Sequence, residues 1–414
     1  MKAFVHTFGC QMNVHDSNRM EECLVRAGFD LTDAPKKADL IIINSCAIRE
    51  KAEQKMLSAL GRYTRYKHNR PALRIVLAGC VAQLRGKDIG RRFKELDLIL
   101  GTDQISSFVE WLHHSTAPER ALLYKTQRAD PTQFRFLPAN PTAGSVGVTA
   151  YVTIMKGCNN QCAYCVVPTA RGPQINRSES EILSDVDRLV DAGAREIVLI
   201  GQNVNAYKGK KLDFAELLVR VADHEGVARV RFTTSHPRDL DRATVEAVAS
   251  HPAICEHFHL PVQSGSTRIL HRMGRGYDRE KYLEKISWIK QKTPEAAIST
   301  DMIVGFPGES EADFADTLSL VERVGYTFIY SFCYSSRPHT RAAAMKDELG
   351  DDRKLKRLRH LQKLQDTITQ KHLQSWVGKT TAVLVEGASQ RGGGQLRGRT
   401  PTFEIVNFFA SHEH

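Results

Sequence analysis

The sequence predicts an α/β protein: an N-terminal doubly wound parallel domain, a central partial barrel of six β/α units, and a short C-terminal all-β appendage. Three observations carry this prediction. Buried strand-like runs alternate with amphipathic stretches over residues 1–114. The same alternation restarts near residue 149 and continues through six units. After Gly378 helical periodicity gives way to strand-like runs around Gly392-Gly393-Gly394.

In the first domain, apolar runs at 2–6, 39–44, 73–78 and 97–100 have the unbroken hydrophobicity of strands buried on both faces. Amphipathic stretches such as Ser17–Ala27 and Glu50–Tyr63 lie between them and read as the crossover helices. Residues 115–148 hold Pro118, Pro131, Pro138 and Pro141 with no lasting period, and read as a linker.

The barrel is expected over 149–350. Its strands are predicted at 150–155, 196–200, 228–233, 256–261, 297–304 and 327–333. Its helices include 178–192, 212–223, 240–249, 279–291 and 311–323. A basic helical connector is expected over 351–377, with Arg353, Lys354, Lys356, Arg357 and Arg359 at its start, either a solvated face or a phosphate contact. Residues 378–414 form the appendage, with strands at Thr380–Glu386 and Phe403–Phe409 and the basic residues Lys379, Arg391, Arg397 and Arg399.

Composition narrows the function. With 42% hydrophobic and 25% charged residues the chain can bury cores and stay soluble, and no apolar run approaches the roughly 20 residues of a membrane span. The N-terminus reads as a first strand and not as a signal peptide. A cytoplasmic protein is expected, where nine cysteines suit metal better than disulfides. The formal charge of +11 points to a polyanionic partner, nucleic acid being the commonest.

Six of the nine cysteines fall into two sets of three. Cys158, Cys162 and Cys165 sit in one loop, directly after the first barrel strand. Cys10, Cys46 and Cys80 each follow a strand of the first domain, where carboxyl ends share one edge of a parallel sheet. Three thiolates are one fewer than the usual iron–sulfur set, so a cluster held by three leaves one iron open. Zinc is the structural rival of the compact set, but no fourth Cys or His sits at finger spacing. Buried apolar cysteines are the rival reading of the spread set, and the expected role of Cys23, Cys255 and Cys333.

Polar residues gather at later strand ends: Gln202, Asn203 and Asn205; Ser235 and His236; Gln263 and Ser264; and Asp301 within the fifth strand. With Tyr164 they ring the rim where a nucleoside cofactor would lie. Arg171, Arg177, Arg272 and Arg275 flank it, as partners for a phosphate, a carboxylate or a nearby acidic side chain.

The CxxxCxxC run with an aromatic before its last cysteine resembles the radical S-adenosylmethionine (radical SAM) superfamily. With Gly9-Cys10-Gln11-Met12-Asn13, Asn44-Ser45-Cys46-Ala47-Ile48-Arg49-Glu50, Gly79-Cys80, Gly201-Gln202-Asn203-Val204-Asn205, Arg231-Phe232-Thr233-Thr234-Ser235-His236 and Asp301-Met302-Ile303-Val304-Gly305-Phe306-Pro307-Gly308-Glu309 in order, the chain resembles the methylthiotransferase family throughout its length. The resemblance implies two [4Fe–4S] clusters, one on each cysteine set, and S-adenosylmethionine. It implies sulfur and methyl insertion at carbon-2 of N(6)-isopentenyladenosine at tRNA position 37. An RNA-binding TRAM-like appendage would meet the anticodon stem-loop, and a donor such as flavodoxin or ferredoxin would supply electrons to a monomer. Thr169-Ala170, Gln174, Asn176 and Ser336–Arg341 depart from the family pattern, and the TRAM-like part is expected to lack its final strands.

Two other readings share part of this pattern. Sister methylthiotransferases act on threonylcarbamoyladenosine in tRNA or on a ribosomal protein; Gln11-Met12-Asn13 fits the isopentenyladenosine type. A non-catalytic RNA-binding protein with structural metal is the other, and labile sulfide would distinguish it.

Overall fold

The computed structural model describes residues 1–48, 50–114, 122–142 and 146–409. Arg49, residues 115–121 and 143–145 of the expected linker, and 410–414 of the appendage lie outside the described residues. The chain forms two compact units. One comprises Met1–Pro141, Lys156–Asn159 and Cys165–Arg177; the other Thr142–Met155, Asn160–Tyr164 and Ser178 onward.

The first unit is built on a six-stranded parallel sheet. Its strands are β1 (Lys2–Phe8), β2 (Asp30–Leu31), β3 (Leu40–Ser45), β4 (Arg74–Gly79), β5 (Leu98–Leu100) and β6 (Leu123–Lys125), in spatial order β2-β1-β3-β4-β5-β6. Helices α1 (Gln11–Arg26), α2 (Glu50–Asn69), α3 (Cys80–Arg92) and α4 (Ile105–His114) cover both faces. Side-chain alternation along β3 explains how. Leu40 and Ile42 pack with Met20, Leu24, Phe108 and Trp111 of α1 and α4. Ile41 and Ile43 pack with Met56, Leu60, Val81 and Ile89 of α2 and α3. The chain leaves β1 toward one side and returns for β3 on the other, so the topological switch point lies between β1 and β3.

Two local readings need correction. The segment read wholly as linker contains β6, which extends the sheet in parallel from β5. Helix α1 begins at Gln11, six residues before the apolar stripe that signalled it. Its first turns bury Asn13, His15, Asp16 and Ser17, which no amphipathic pattern announces.

The second unit holds the six predicted parallel strands: β7 (Thr149–Thr153), then β10 (Glu196–Ile200), β11 (Arg229–Phe232), β12 (His257–His259), β13 (Ala297–Val304) and β14 (Phe328–Cys333). Between β7 and β10 in the chain come β8 (Met155–Lys156) and β9 (Ile175–Asn176), which pair as a two-stranded ribbon; Lys156 and β9 belong to the first unit. Strands pair as β7-β10-β11 and β12-β13-β14, and a parallel Val230–Ile254 bridge continues the winding between them. Spatial order therefore follows chain order, as in a barrel left open on one side. The short α5 (Val167–Arg171) belongs to the first unit; the outer helices of the second are α6 (Glu179–Asp191), α7 (Phe214–Ala222), α8 (Arg242–Ser250), α9 (Thr267–Met273), α10 (Arg279–Lys292) and α11 (Glu311–Val324). Sequence sets their starts: Ser178, Asp213, Asp241, Ser266, Asp278 and Ser310 each cap the following helix with a side-chain oxygen.

Helix α12 (Asp351–Gln374) closes the barrel's helical layer. Its Arg357 donates to Glu309 at 2.6 Å and its Gln365 to the Tyr326 carbonyl at 2.7 Å. The appendage has three antiparallel strands, not two: β15 (Leu384–Ala388), β16 (Leu396–Arg399) and β17 (Ile405–Phe408). It docks on the amino-terminal ends of the barrel strands. Arg231 donates to the carbonyls of Thr400 and Pro401 at 2.6 and 2.8 Å, and Phe403 stacks on His257 with centroids 4.7 Å apart.

Candidate functional site

Sheet register brings the spread cysteines to one edge. Phe8, Ser45 and Gly79 are partners across β1, β3 and β4. The next residue after Ser45 is Cys46, whose N–H donates to the Phe8 carbonyl at 2.8 Å. The next after Gly79 is Cys80, the first residue of α3, while Cys10 caps α1. Cys46 and Cys80 are buried, and Cys10 is half-buried. Cys10 and Cys80 thus lie at helix N-termini, whose dipoles favour thiolate.

The packing around them leaves little freedom. A Cβ on Gly9 would lie 2.7 Å from Cys46 Cβ and 2.4 Å from Asn13 Oδ1. Asn13 Oδ1 lies 3.4 Å from both the amide nitrogen and Sγ of Cys10. Asn44 fixes the same turn: its Nδ2 donates to the Asn13 carbonyl at 2.8 Å and to Ser17 Oγ at 3.0 Å. The Cys46 thiol donates to Cys10 and pushes that thiol down to about 6, with Arg171 adding to the effect. As the donor in this pair Cys46 is pushed up, and burial pushes Cys80 up against the pull of Arg171. Arg171 donates to Asp16 Oδ2 at 2.6 Å, both side chains being buried.

Of the compact set, Cys158 and Cys165 belong to the first unit and Cys162 to the second. In the first unit, Cys158 N–H donates to the Gly172 carbonyl at 3.1 Å, and Cys165 Sγ accepts from Val167 N–H at 3.4 Å. Gly157 has φ +74°, and a Cβ there would overlap the Pro173 carbonyl oxygen at 1.9 Å, so only glycine fits before Cys158. In the second unit, Arg275 Nη1 lies 3.3 Å from both Cys162 Sγ and Tyr164 Oη, and its Nη2 donates to the Pro261 carbonyl at 2.6 Å. His236 Nε2 lies 3.9 Å from Cys162 Sγ. Burial, then Arg275 and Arg238, pushes His236 down to about 2, so it is neutral. Its Nδ1 accepts from Arg238 N–H at 3.2 Å, which leaves the ring proton on Nε2, toward the sulfur.

The other predicted rim residues divide. Asn205 clamps the His236 backbone from both sides, accepting from its N–H at 2.9 Å and donating to its carbonyl at 3.0 Å. Asn203 donates to Asp239 at 2.7 Å, and its buried Oδ1 and the buried Ser235 Oγ have no hydrogen-bond partner among the described residues. Gln202 N–H donates to Met155 Sδ at 3.2 Å. Asp301 faces His259 at 3.6 Å and stays partly exposed. Ser264 is fully buried, and its hydroxyl serves Ser266 N–H at 3.2 Å and faces Thr317. Two backbone features escaped the sequence reading: Thr234 and Gln263 have φ +70° and +76°, at the carboxyl ends of β11 and β12. For a β-branched threonine that conformation is strained, and strain of this kind gathers at ligand sites.

The flanking arginines separate too. Arg272 donates to the Pro307 carbonyl at 3.2 Å, and Arg177 lies over the Phe136 ring. Of the basic appendage residues, Arg397 and Arg399 both pair with Glu386, and Lys379 with Glu295. In α12, Lys354 and Arg357 are buried in ion pairs, whereas Arg353, Lys356, Arg359 and Lys363 line its exposed face.

The donor chemistry suits iron–sulfur clusters: Cys10, Cys46 and Cys80 are free thiols at one sheet edge, Cys158, Cys162 and Cys165 are free thiols of one loop, and the Arg275 guanidinium lies against Cys162. Among the described residues no three ligand side chains converge on a single-ion position, so the fit rests on the thiols and their surroundings.

Residues 2–101 match the model of the Uncharacterized protein family UPF0004, and residues 152–321 that of the Radical SAM superfamily. The tRNA-2-methylthio-N(6)-dimethylallyladenosine synthase of Syntrophobacter fumaroxidans is 45% identical over 98% of this chain and 89% of its own length. The proteins of the same name from Myxococcus xanthus and Anaeromyxobacter sp. are 45% and 46% identical over 98% and 99% of this chain and 88% and 89% of theirs. Among solved structures, the radical S-adenosylmethionine methyltransferase TsrM from Kitasatospora setae aligns with a TM-score of 0.58 at 12% identity, covering 83% of this chain and 77% of its own. The cobalamin-dependent S-adenosylmethionine radical enzyme OxsB aligns with a TM-score of 0.54 at 10% identity over 99% of this chain and 64% of its own. At such identities the last two speak to fold alone.

Proposed function

The chain belongs to the tRNA-2-methylthio-N(6)-dimethylallyladenosine synthase family, and on that premise we propose how its own residues divide the work of methylthiolating N(6)-isopentenyladenosine in tRNA. Cys158, Cys162 and Cys165 hold the cluster that binds S-adenosylmethionine, and Cys10, Cys46 and Cys80 hold the second cluster. When bound, these groups supply abstraction of a hydrogen atom from an unactivated carbon, a sulfur atom and a methyl group. Side-chain bases cannot replace that chemistry, since proton transfer is efficient only near a base's own pKa.

The protein's part is placement and charge. Arg275 sets a fixed positive charge on Cys162 and holds Tyr164 beside it. Asn205 fixes the backbone of His236, whose neutral ring offers an N–H donor at the rim. Asn203 Oδ1 and Ser235 Oγ are buried acceptors suited to the hydroxyl or amine protons of a nucleoside, and Gln202, Gln263 and Asp301 border them. Ser264 acts through packing. Arg353, Lys356, Arg359 and Lys363 on the open face of α12 suit tRNA phosphates better than Arg397 and Arg399, whose charges are already matched. An electron donor of the flavodoxin or ferredoxin class, a monomeric state and a cytoplasmic setting belong to the same reading. Nine free cysteines suit such a setting, and among the described residues no helix is long and apolar enough to cross a membrane.

The observation that carries the division is register: Phe8, Ser45 and Gly79 share one row of the sheet, and the cysteines follow that row. Mass analysis of tRNA nucleosides from cells with and without the protein tests the function. The 2-methylthio derivative of isopentenyladenosine should disappear with the gene, and an unchanged level would refute the reading.

A further inference from the structure

We infer that Arg171, held by Asp16, is the charge-compensating residue of the Cys10, Cys46 and Cys80 site, setting the reduction potential of the cluster there and helping to retain it. The inference rests on the assignment of that cluster to these three cysteines.

The pair is buried and joins distant parts of the chain. Arg171 is the last residue of α5, six residues after Cys165, yet its Nη2 reaches Asp16 at 2.6 Å, 155 positions away in the chain. Only 6% of Arg171 is exposed, and Asp16 is equally buried. The carrier helix is fixed from outside, Thr102 Oγ1 donating to the Ala170 carbonyl at 2.8 Å. A guanidinium has five N–H donors in a rigid fork, more than one carboxylate takes. The cysteines are close by: Ala170, the residue before Arg171, packs in one buried cluster with Cys80, Asp16 stands six residues after Cys10 on α1, and the Arg171 charge acts on both thiols. Burial works against its charge, and Asp16, Cys80 and Cys10 together outweigh burial. A desolvated cation with one carboxylate against it is balanced; the thiolates and the cluster add negative charge that needs the remaining donors.

The sign of the effect follows. One-electron uptake by the cluster adds negative charge, which a neighbouring cation favours and a neighbouring anion opposes. Removing the Arg171 charge must lower the reduction potential, and removing the Asp16 charge must raise it. Lysine at position 171 keeps the charge but not the fork, so it should preserve most of the potential.

The test uses the full chain with Cys158, Cys162 and Cys165 replaced by Ala, so that only the second site can carry a cluster. After anaerobic reconstitution, iron and sulfide are measured, and the cluster is titrated with dithionite under electron paramagnetic resonance. Arg171→Gln should titrate at lower potential than the parent, Asp16→Asn at higher potential, and Arg171→Lys close to it. Loss of iron in Arg171→Gln with retention in Arg171→Lys would also support the role. Unchanged potentials in iron-loaded variants would overturn it, as would equal shifts in Gln and Lys variants. A parent without iron and sulfide would instead refute the cysteine assignment, and this inference with it.

Discussion

Gly79→Ala probes the placement of Cys80 at its source. Gly79 has φ +90° and ψ −159°, a region open essentially to glycine alone. An added Cβ would stand 2.2 Å from Asn44 Oδ1 and 2.8 Å from the Ser45 carbonyl. Asn44 cannot swing away cheaply, because Asn13 and Ser17 hold its amide. The backbone term costs about 1–3 kcal/mol and overpacking about 1–3 kcal/mol. The first unit should lose about 2–6 kcal/mol in all. Gly61→Ala is the matched control: it lies within α2 with open space around it, and should stabilise by about 0.5–1 kcal/mol. Hydrogen exchange of peptides covering β3 and β4 reads both. Gly79→Ala should exchange at least about tenfold faster there, and reconstituted protein should hold less iron; Gly61→Ala should do neither. Native-like exchange and full iron loading in Gly79→Ala would show that the turn does not place Cys80.

Other perturbations address the barrel and the appendage. Asn205→Ala leaves the His236 N–H and carbonyl without their partners, at about 1–3 kcal/mol each; S-adenosylmethionine binding by equilibrium dialysis should weaken at least about tenfold. Phe403→Ala removes the stack on His257 and the faces under Arg231 and Arg399, together worth about 2–4 kcal/mol. Limited proteolysis within 384–409 should quicken, and an unchanged rate would mean that the appendage docks by other contacts. Glu404 is held below the ordinary carboxylate value of 4.5: burial pushes it up, and His372, Thr400 and Thr402 outweigh that. Its contribution is therefore present above pH 4.5 and lost as pH falls through the lowered value. Proteolysis of the appendage should accelerate on acidification below that pH, and Glu404→Gln should flatten the dependence.

Much of the fold was legible because its signals are local. The unbroken Leu-Ile-Ile-Ile run of β3 announces a strand buried on both faces, and Cys46 at its end announces a ligand edge. What escaped was set by distant contacts. Strand β6 is three residues beside a proline-rich stretch, and only the edge of the sheet makes it a strand. Strand β16 reads Leu-Arg-Gly-Arg, and its arginines are tolerated because Glu386 faces both. The early turns of α1 bury polar side chains that Asn44, Thr7 and Arg171 satisfy, so hydrophobic periodicity misses them. The same reason hid the Asp16–Arg171 pair, which no spacing rule connects. The compact cysteine loop was plain in sequence, but the guanidinium on Cys162 comes from 113 residues away.

The division of labour between the cysteine sets comes down to Cys10→Ala, assayed with tRNA bearing isopentenyladenosine by quantifying 5′-deoxyadenosine and methylthio product in the same reaction. S-adenosylmethionine cleavage should continue while the methylthio product falls to background. Methylthio product at the wild-type level would contradict the assignment of the sulfur-supplying cluster to Cys10, Cys46 and Cys80.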